Sequence, residues 1–261
     1  MDIKQLVRVR NISADAEDQR LTQQLAQRLL LPELFGDDTE TPFFLAFTNG
    51  RLSLFSRADK APPKPLCVDF LTGPLGYRSL RDRRINQPLA KAVGIKAGIR
   101  PRVCDATAGL GEDGFVLASL GCQVTMIERS PIIWALLDDG LRRAASDRLL
   151  GPVVSERITL LQGDAVVILS GSSGQYDTIF LDPMYPETQR SALNKQKMRT
   201  VRTLVGDDAD SCYLLTAARQ ARPSRIAVKR PARAPTLSPH APTYAITGKS
   251  CRFDVYLPPY L

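Results

Sequence analysis

Asp182, Pro183 and Tyr185 lie in YDTIFLDPMYP, an apolar run that ends in an acid, two prolines and an aromatic ring. These residue types suit a flat amine. The lone pair of an aromatic amine is delocalised into its ring, so the nitrogen attacks an electrophile well only when its hydrogens are held. The Asp182 carboxylate or the Pro183 carbonyl can accept those hydrogens and orient the nitrogen. Pro183 and Pro186 stiffen the loop, and Tyr185 can stack on a base plane. Taken alone, the same residues also describe a proline-rich turn after a strand with a capping aspartate.

A second cluster lies upstream, in VCDATAGLGEDGF, which leaves a strand and enters a helix. Gly109 and Gly111 let the backbone turn tightly and approach a ligand without a Cβ in the way. The next strand, QVTMI, leads into Glu128 and Arg129, with Glu128 placed 19 residues after Gly109. A carboxylate there can accept from both ribose hydroxyls of an adenosine. An acid beside Ser130 would equally stabilise a helix start. Gly109, Gly111 and Gly114 satisfy the bare GxGxxG pattern, so a nicotinamide-dependent dehydrogenase stays open. Glu112 and Asp113 argue against it, because they put negative charge where a pyrophosphate would rest. A sulfonium cation with an amino group, as in S-adenosylmethionine, suits those acids, with Asp105 at the strand end as a third. No GK[ST] follows the loop, so a Walker A site is excluded. Asp164, in LLQGDAVVIL, can meet an adenine amino group, cap the helix over 165–169, or do both.

The elements that must position these residues follow from periodicity. Strands are expected over 102–106, 123–127, 157–161, 176–181 and 225–229, with helices over 111–120, 131–145 and 208–219. Ser130-Pro131 reads as a cap followed by proline in the first helical turn. Residues 244–246 and 252–257 are expected to pair around Gly248. Strands alternating with helices at this spacing indicate an α/β fold whose largely parallel sheet binds ligands outside its strand carboxyl ends. Before it, 3–9 alternates like a strand, 15–31 has a helical rhythm, and Asn49-Gly50 suits a type I′ hairpin. Residues 66–70 offer a further strand. The divisions expected are 1–70 as a small α+β region, 71–100 as a basic linker and helix, and 101–261 as the main domain.

Composition narrows the partners. The 261 residues carry a net charge of +8; residues 1–70 hold nine Lys/Arg against ten Asp/Glu, so the excess lies later. Three basic segments stand out, over 78–102, 190–202 and 219–233. Two follow strand ends, Lys229 and Arg230 among them, which suggests phosphate contacts around a presented base. One histidine and five scattered cysteines predict no metal site and free thiols in a reducing compartment. His240 reads as a surface residue and Trp134 as packing. No apolar run is long enough for a membrane span, and the first residues lack a signal-peptide core.

Several of these segments together resemble one family. DATAGLGEDGFVLASLGC, the Glu128-Arg129 pair, LLDDGL, LDPMYP with QRSALNKQKMR, VKRP and the final GKSCRFDVY are similar to the ribosomal RNA small subunit methyltransferase J family. The similarity spans essentially the whole chain. It implies a class I S-adenosylmethionine-dependent methyltransferase, with a Rossmann-like, mostly parallel seven-stranded sheet. It also implies transfer to the 2-amino group of a guanine in 16S rRNA, naked or in the small ribosomal subunit, in the cytoplasm and without metal. By the same resemblance the cofactor contacts fall on Glu112, Asp113, Glu128, Arg129, around Asp164, and on Asp182. The chain departs from the family pattern at Glu112, where arginine is usual, and at Tyr185, where phenylalanine is common. Gly163-Asp164 likewise replaces small residues and serine. Other readings of the residues are methylation of a different amine and an inactive methyltransferase fold that binds RNA.

Overall fold

The computed structural model describes residues 3–34, 41–57, 65–72, 85–184, 201, 203–204, 211–248 and 251–259, and within them the strands form two sheets. The smaller joins β1 (Val7–Val9), β2 (Phe43–Thr48) and β3 (Arg51–Ser56). Strand alternation over 3–9 holds only from Val7, because pairing starts at the Val7–Phe43 register; Ile3–Leu6 is a helical turn, α1. α2 (Ala16–Leu29) follows, capped by Asp15. Asn49 and Gly50 both have positive φ, 54° and 69°, as a type I′ turn requires. The buried Asp18 carboxylate accepts from both turn amides, at 2.9 and 2.8 Å, and so ties α2 to the hairpin. The strand expected over 66–70 reduces to one bridge, Leu66 with Leu54.

α3 (Pro88–Val93) precedes the larger sheet. Its strands are β4 (Arg102–Asp105), β5 (Gln123–Glu128), β6 (Ile158–Gln162), β7 (Thr178–Leu181), β8 (Arg225–Pro231), β9 (Tyr244–Thr247) and β10 (Cys251–Tyr256). The order is β6-β5-β4-β7-β8-β10-β9, with β10 antiparallel to both its neighbours and the pairs from β6 to β8 parallel. The chain winds outward in one direction from β4 through β5 to β6, and in the other from β7. The crevice at the carboxyl ends of β4 and β7 is therefore the switch point where such sheets bind ligands.

α4 (Glu112–Ser119), α5 (Pro131–Ala145), α6 (Gly151–Arg157), α7 (Ala165–Ser170) and α8 (Ser211–Gln220) connect these strands. Strand residues feed two apolar clusters by alternation. Cys104, Ile179, Leu181, Ile226 and Val228 pack with Leu169 and Leu215 on one face. Val103, Phe180 and Ala227 pack with Phe115 and Leu136 on the other, and Val7, Leu45 and Leu54 of the small sheet join that same cluster. A polar link reinforces the join. Buried Asp139 of α5 accepts from the Leu52 amide at 3.1 Å, from Arg142 at 2.8 Å and from Arg143 at 2.9 Å. The small sheet thus braces the helix whose first turn enters the site.

Candidate active site

Each putting-together of site residues begins at a strand end. β4 ends at Asp105, whose carboxylate is buried and accepts the Thr107 amide at 3.2 Å. Past it the backbone turns through Gly109 (φ 54°) and Gly111 (φ 77°), the left-handed conformation that favours glycine. Gly111 also has no room for a side chain: a Cβ there would lie 2.5 Å from Leu137 Cδ1 and 3.3 Å from Phe70 Cζ. Phe70 in turn stacks on Phe115 of α4, with ring centroids 4.1 Å apart. The loop is held against β5 by the Ala108 amide, which donates to the Ile127 carbonyl at 3.0 Å.

Glu128 ends β5 and is buried. Its two oxygens accept from the Gly109 amide at 2.9 Å and the Ser130 amide at 2.7 Å. The carboxylate supports the start of α5, one of the two expectations for this acid, and also reaches the glycine loop. Ser130 caps α5 through the Ile133 amide, as expected.

Asp182 follows β7 directly. Its amide donates to Thr107 Oγ1 at 2.6 Å, across the switch point. Lys229 Nζ donates to Asp182 Oδ2 at 2.8 Å and to Asp113 Oδ2 at 2.5 Å, binding the end of β8 to the end of β7 and the first turn of α4. Burial disfavours the charged Lys229, but Asp182 and Asp113 outweigh it and raise its pKa above the ordinary lysine value. Asp105 moves the other way from a typical acid: burial first, then the nearby Asp113 charge, push it up to about 8, against the pull of the Thr107 amide and Lys229. The edge thus concentrates three carboxyl groups around one ammonium.

The remaining residues named from the sequence fall as follows. Glu112 and Arg129 are exposed at the mouth of the same edge, in the first turn of α4 and just after β5. Asp164 is exposed and caps α7, its side chain accepting the Val166 amide at 2.8 Å. Pro183 is buried behind Asp182. Tyr185, Arg78, Arg81, Arg83 and Arg84, and all the basic residues of the 190–202 segment (Arg190, Lys195, Lys197, Arg199 and Arg202), lie outside the described residues. Two expected phosphate contacts are corrected. Lys229 is spent on two carboxylates, and Arg230 is buried with its guanidinium on the Pro235 carbonyl, at 3.1 and 3.2 Å. Thr107 went unnoticed in the sequence; its signal was its place between Asp105 and the glycines. His240 is exposed and Trp134 is packed in the core, under the Arg28 guanidinium. Cys104 and Cys122 are buried free thiols, whereas Cys212 is exposed. Among the described residues no helix is long and apolar enough to cross a membrane.

Chemically, this edge fits S-adenosylmethionine. The turn at Gly109, where a Cβ would meet nothing nearer than the Thr107 carbonyl at 3.9 Å, admits a ligand close to the chain, and the Glu128 carboxylate lies beside it. The carboxylates of Asp113 and Asp182 favour a ligand bearing positive charge over one bearing a pyrophosphate.

The comparisons agree with that fit. A family model for S-adenosylmethionine-dependent methyltransferases matches residues 24–258. The ribosomal RNA small subunit methyltransferase J of Thioalkalivibrio sulfidiphilus is 49% identical over 253 residues, covering 96% of this chain and 97% of that protein. Its namesake from Aeromonas salmonicida is 50% identical over 232 residues, covering 89% and 93%. Among solved structures, an S-adenosylmethionine-dependent methyltransferase from Neisseria gonorrhoeae superposes with a TM-score of 0.70 at 33% identity, covering 97% of each chain. Glycine loop, acid after β5, Asp182 at the switch point and near-complete alignment converge: the chain belongs to the ribosomal RNA small subunit methyltransferase J family of S-adenosylmethionine-dependent methyltransferases.

Proposed function

We propose that the chain methylates the exocyclic 2-amino group of a guanine in small-subunit (16S) ribosomal RNA, acting in the cytoplasm. The observation that carries the chemistry is the position of Asp182: it ends β7 at the switch point, its amide fixed by Thr107 and its carboxylate by Lys229. The names of the relatives supply the polymer, and the basic excess after residue 70 is consistent with it.

S-adenosylmethionine supplies an electrophilic methyl group on a sulfonium. Glu128 holds the glycine loop and would accept from the ribose; Gly109 allows close approach and Gly111 packs the loop on Leu137; Asp105 orients the loop through the Thr107 amide, and Asp113 would face the positively charged end. Glu112, Arg129 and Asp164 complete the rim, Asp164 toward the adenine. Asp182 and the Pro183 carbonyl accept the guanine amino hydrogens, aiming the nitrogen lone pair at the methyl carbon. Tyr185 holds the base plane by stacking. With S-adenosylmethionine bound as methyl donor, Asp182 or solvent would take the proton that the amine gives up. The division into 1–70, 71–100 and 101–261 assigns the first two parts to bracing and RNA contact.

Asp182→Ala tests this assignment. Transfer to undermethylated small subunits is expected to drop at least about a hundredfold, with RNA affinity changed little. Wild-type turnover in that variant contradicts it.

A further inference from the structure

We propose that Lys229 is a positioning residue for methyl transfer: its ammonium clamps the Asp182 carboxylate to Asp113, holding Asp182 in register with the helix that follows the glycine loop. The inference rests on the reading of Asp182 as the acceptor for the target amine.

The placement is specific. Lys229 lies in β8, a strand whose preceding residues Ile226, Ala227 and Val228 are fully buried, and its cross-strand partner in β10 is Phe253. A lysine in such a place would ordinarily be replaced by an apolar residue or left neutral. Here two carboxylates from elsewhere in the chain meet it, Asp113 at 2.5 Å and Asp182 at 2.8 Å. A nucleic-acid phosphate is a poor competitor for this ammonium, because it would have to approach past both carboxylates.

Among the described residues, charged groups from three other elements lie near Asp182. Asp105 comes from β4, Asp113 from α4, Lys229 from β8, and Phe253 of β10 brings no charge. Remove the ammonium and the Asp113 and Asp182 carboxylates that it bridged are left without it. Like charges in one site push a carboxyl toward its protonated form. A protonated Asp182 presents a hydrogen where an acceptor for the amine is required. Loss of Lys229 therefore becomes a loss of turnover that grows as pH falls. It also frees Asp182 from α4, so the acceptor is no longer in register with the helix that begins at the glycine loop.

The test uses the full chain, S-adenosylmethionine and undermethylated small subunits, with kcat and KM for RNA measured between pH 5.5 and 9 in Lys229→Met and Lys229→Arg. For Lys229→Met, kcat is expected to fall about tenfold or more at the acid end and to recover as pH rises, about tenfold per pH unit below the shifted acid limb. KM for RNA is expected to move less than about threefold, since the ammonium faces carboxylates. Lys229→Arg, which retains the charge, is expected to keep a flat profile. The proposal is overturned if Lys229→Met has the wild-type profile, if its loss is equal at every pH, or if the main change is a raised KM in both variants. Should circular dichroism show Lys229→Met unfolded, Lys229→Gln takes its place in the same pH series; a wild-type profile there overturns the proposal. Full activity in Asp182→Ala instead removes the underlying reading, whatever Lys229 does.

Discussion

Glu128 at the end of β5 and Gly109 in the loop after β4 meet at the sheet edge, with Glu128 Oε2 accepting the Gly109 amide at 2.9 Å. The other oxygen takes the Ser130 amide at 2.7 Å, so one side chain fixes both the loop after β4 and the first turn of α5. A single acid therefore orders two segments of the candidate site.

Replacing it separates the two. Glu128→Ala leaves both amides without this acceptor, at a cost of roughly 1–3 kcal/mol for a buried group left unsatisfied. S-adenosylmethionine affinity is expected to fall at least about tenfold by calorimetry, because ribose acceptors and loop order go together. Wild-type affinity in Glu128→Ala contradicts the assignment.

Gly111→Ala probes the glycine loop. The new methyl meets Leu137 at 2.5 Å and the backbone must keep a φ of 77°. A loss of about 1–3 kcal/mol in urea unfolding is expected, with weaker cofactor binding. An equally stable variant with unchanged affinity would show that the loop is not packed as described.

Thr107→Val keeps the shape of the side chain and deletes the acceptor for the Asp182 amide. A neutral hydrogen bond contributes about 0.5–1.5 kcal/mol, so kcat is expected to drop about threefold to tenfold with little change in cofactor affinity. Steady-state kinetics showing a change confined to KM would place Thr107 in binding instead.

Asp105 gives stability a defined pH trend. Its folded-state pKa is pushed up to about 8, above the ordinary 3.8. Between those values the folded chain holds a proton that the unfolded chain has released. Its contribution is then fully present below pH 3.8 and is lost as pH rises through about 8. Asp105→Asn stays neutral throughout. The urea midpoint of Asp105→Asn relative to wild type is expected to rise between pH 5 and 9; a constant difference would contradict a neutral buried Asp105.

The strand-and-helix alternation was legible because its residues alternate between two buried faces, as Cys104 and Val103 do on β4. Glu128 and Asp182 were legible because strand ends announce themselves by an acid after an apolar run. Contacts between distant residues were not. Nothing local marks Lys229 as the partner of Asp113 and Asp182, so its charge looks like that of any basic residue near RNA. Arg230 misleads for the same reason, since its carbonyl partner at Pro235 comes from the following turn. The alternation over 3–9 overstated a strand because β2 begins only at Phe43, opposite Val7. α6 escaped notice because Gly151 and Pro152 open it, residues more often associated with a turn.

The most direct measurement is transfer of a labelled methyl group from S-adenosylmethionine to undermethylated small subunits and to their naked RNA, followed by digestion and identification of the labelled nucleoside. The account predicts label in N2-methylguanosine from 16S rRNA. Label in an adenine, a cytosine or a ribosomal protein, or no transfer to either substrate by protein that binds S-adenosylmethionine, would contradict it.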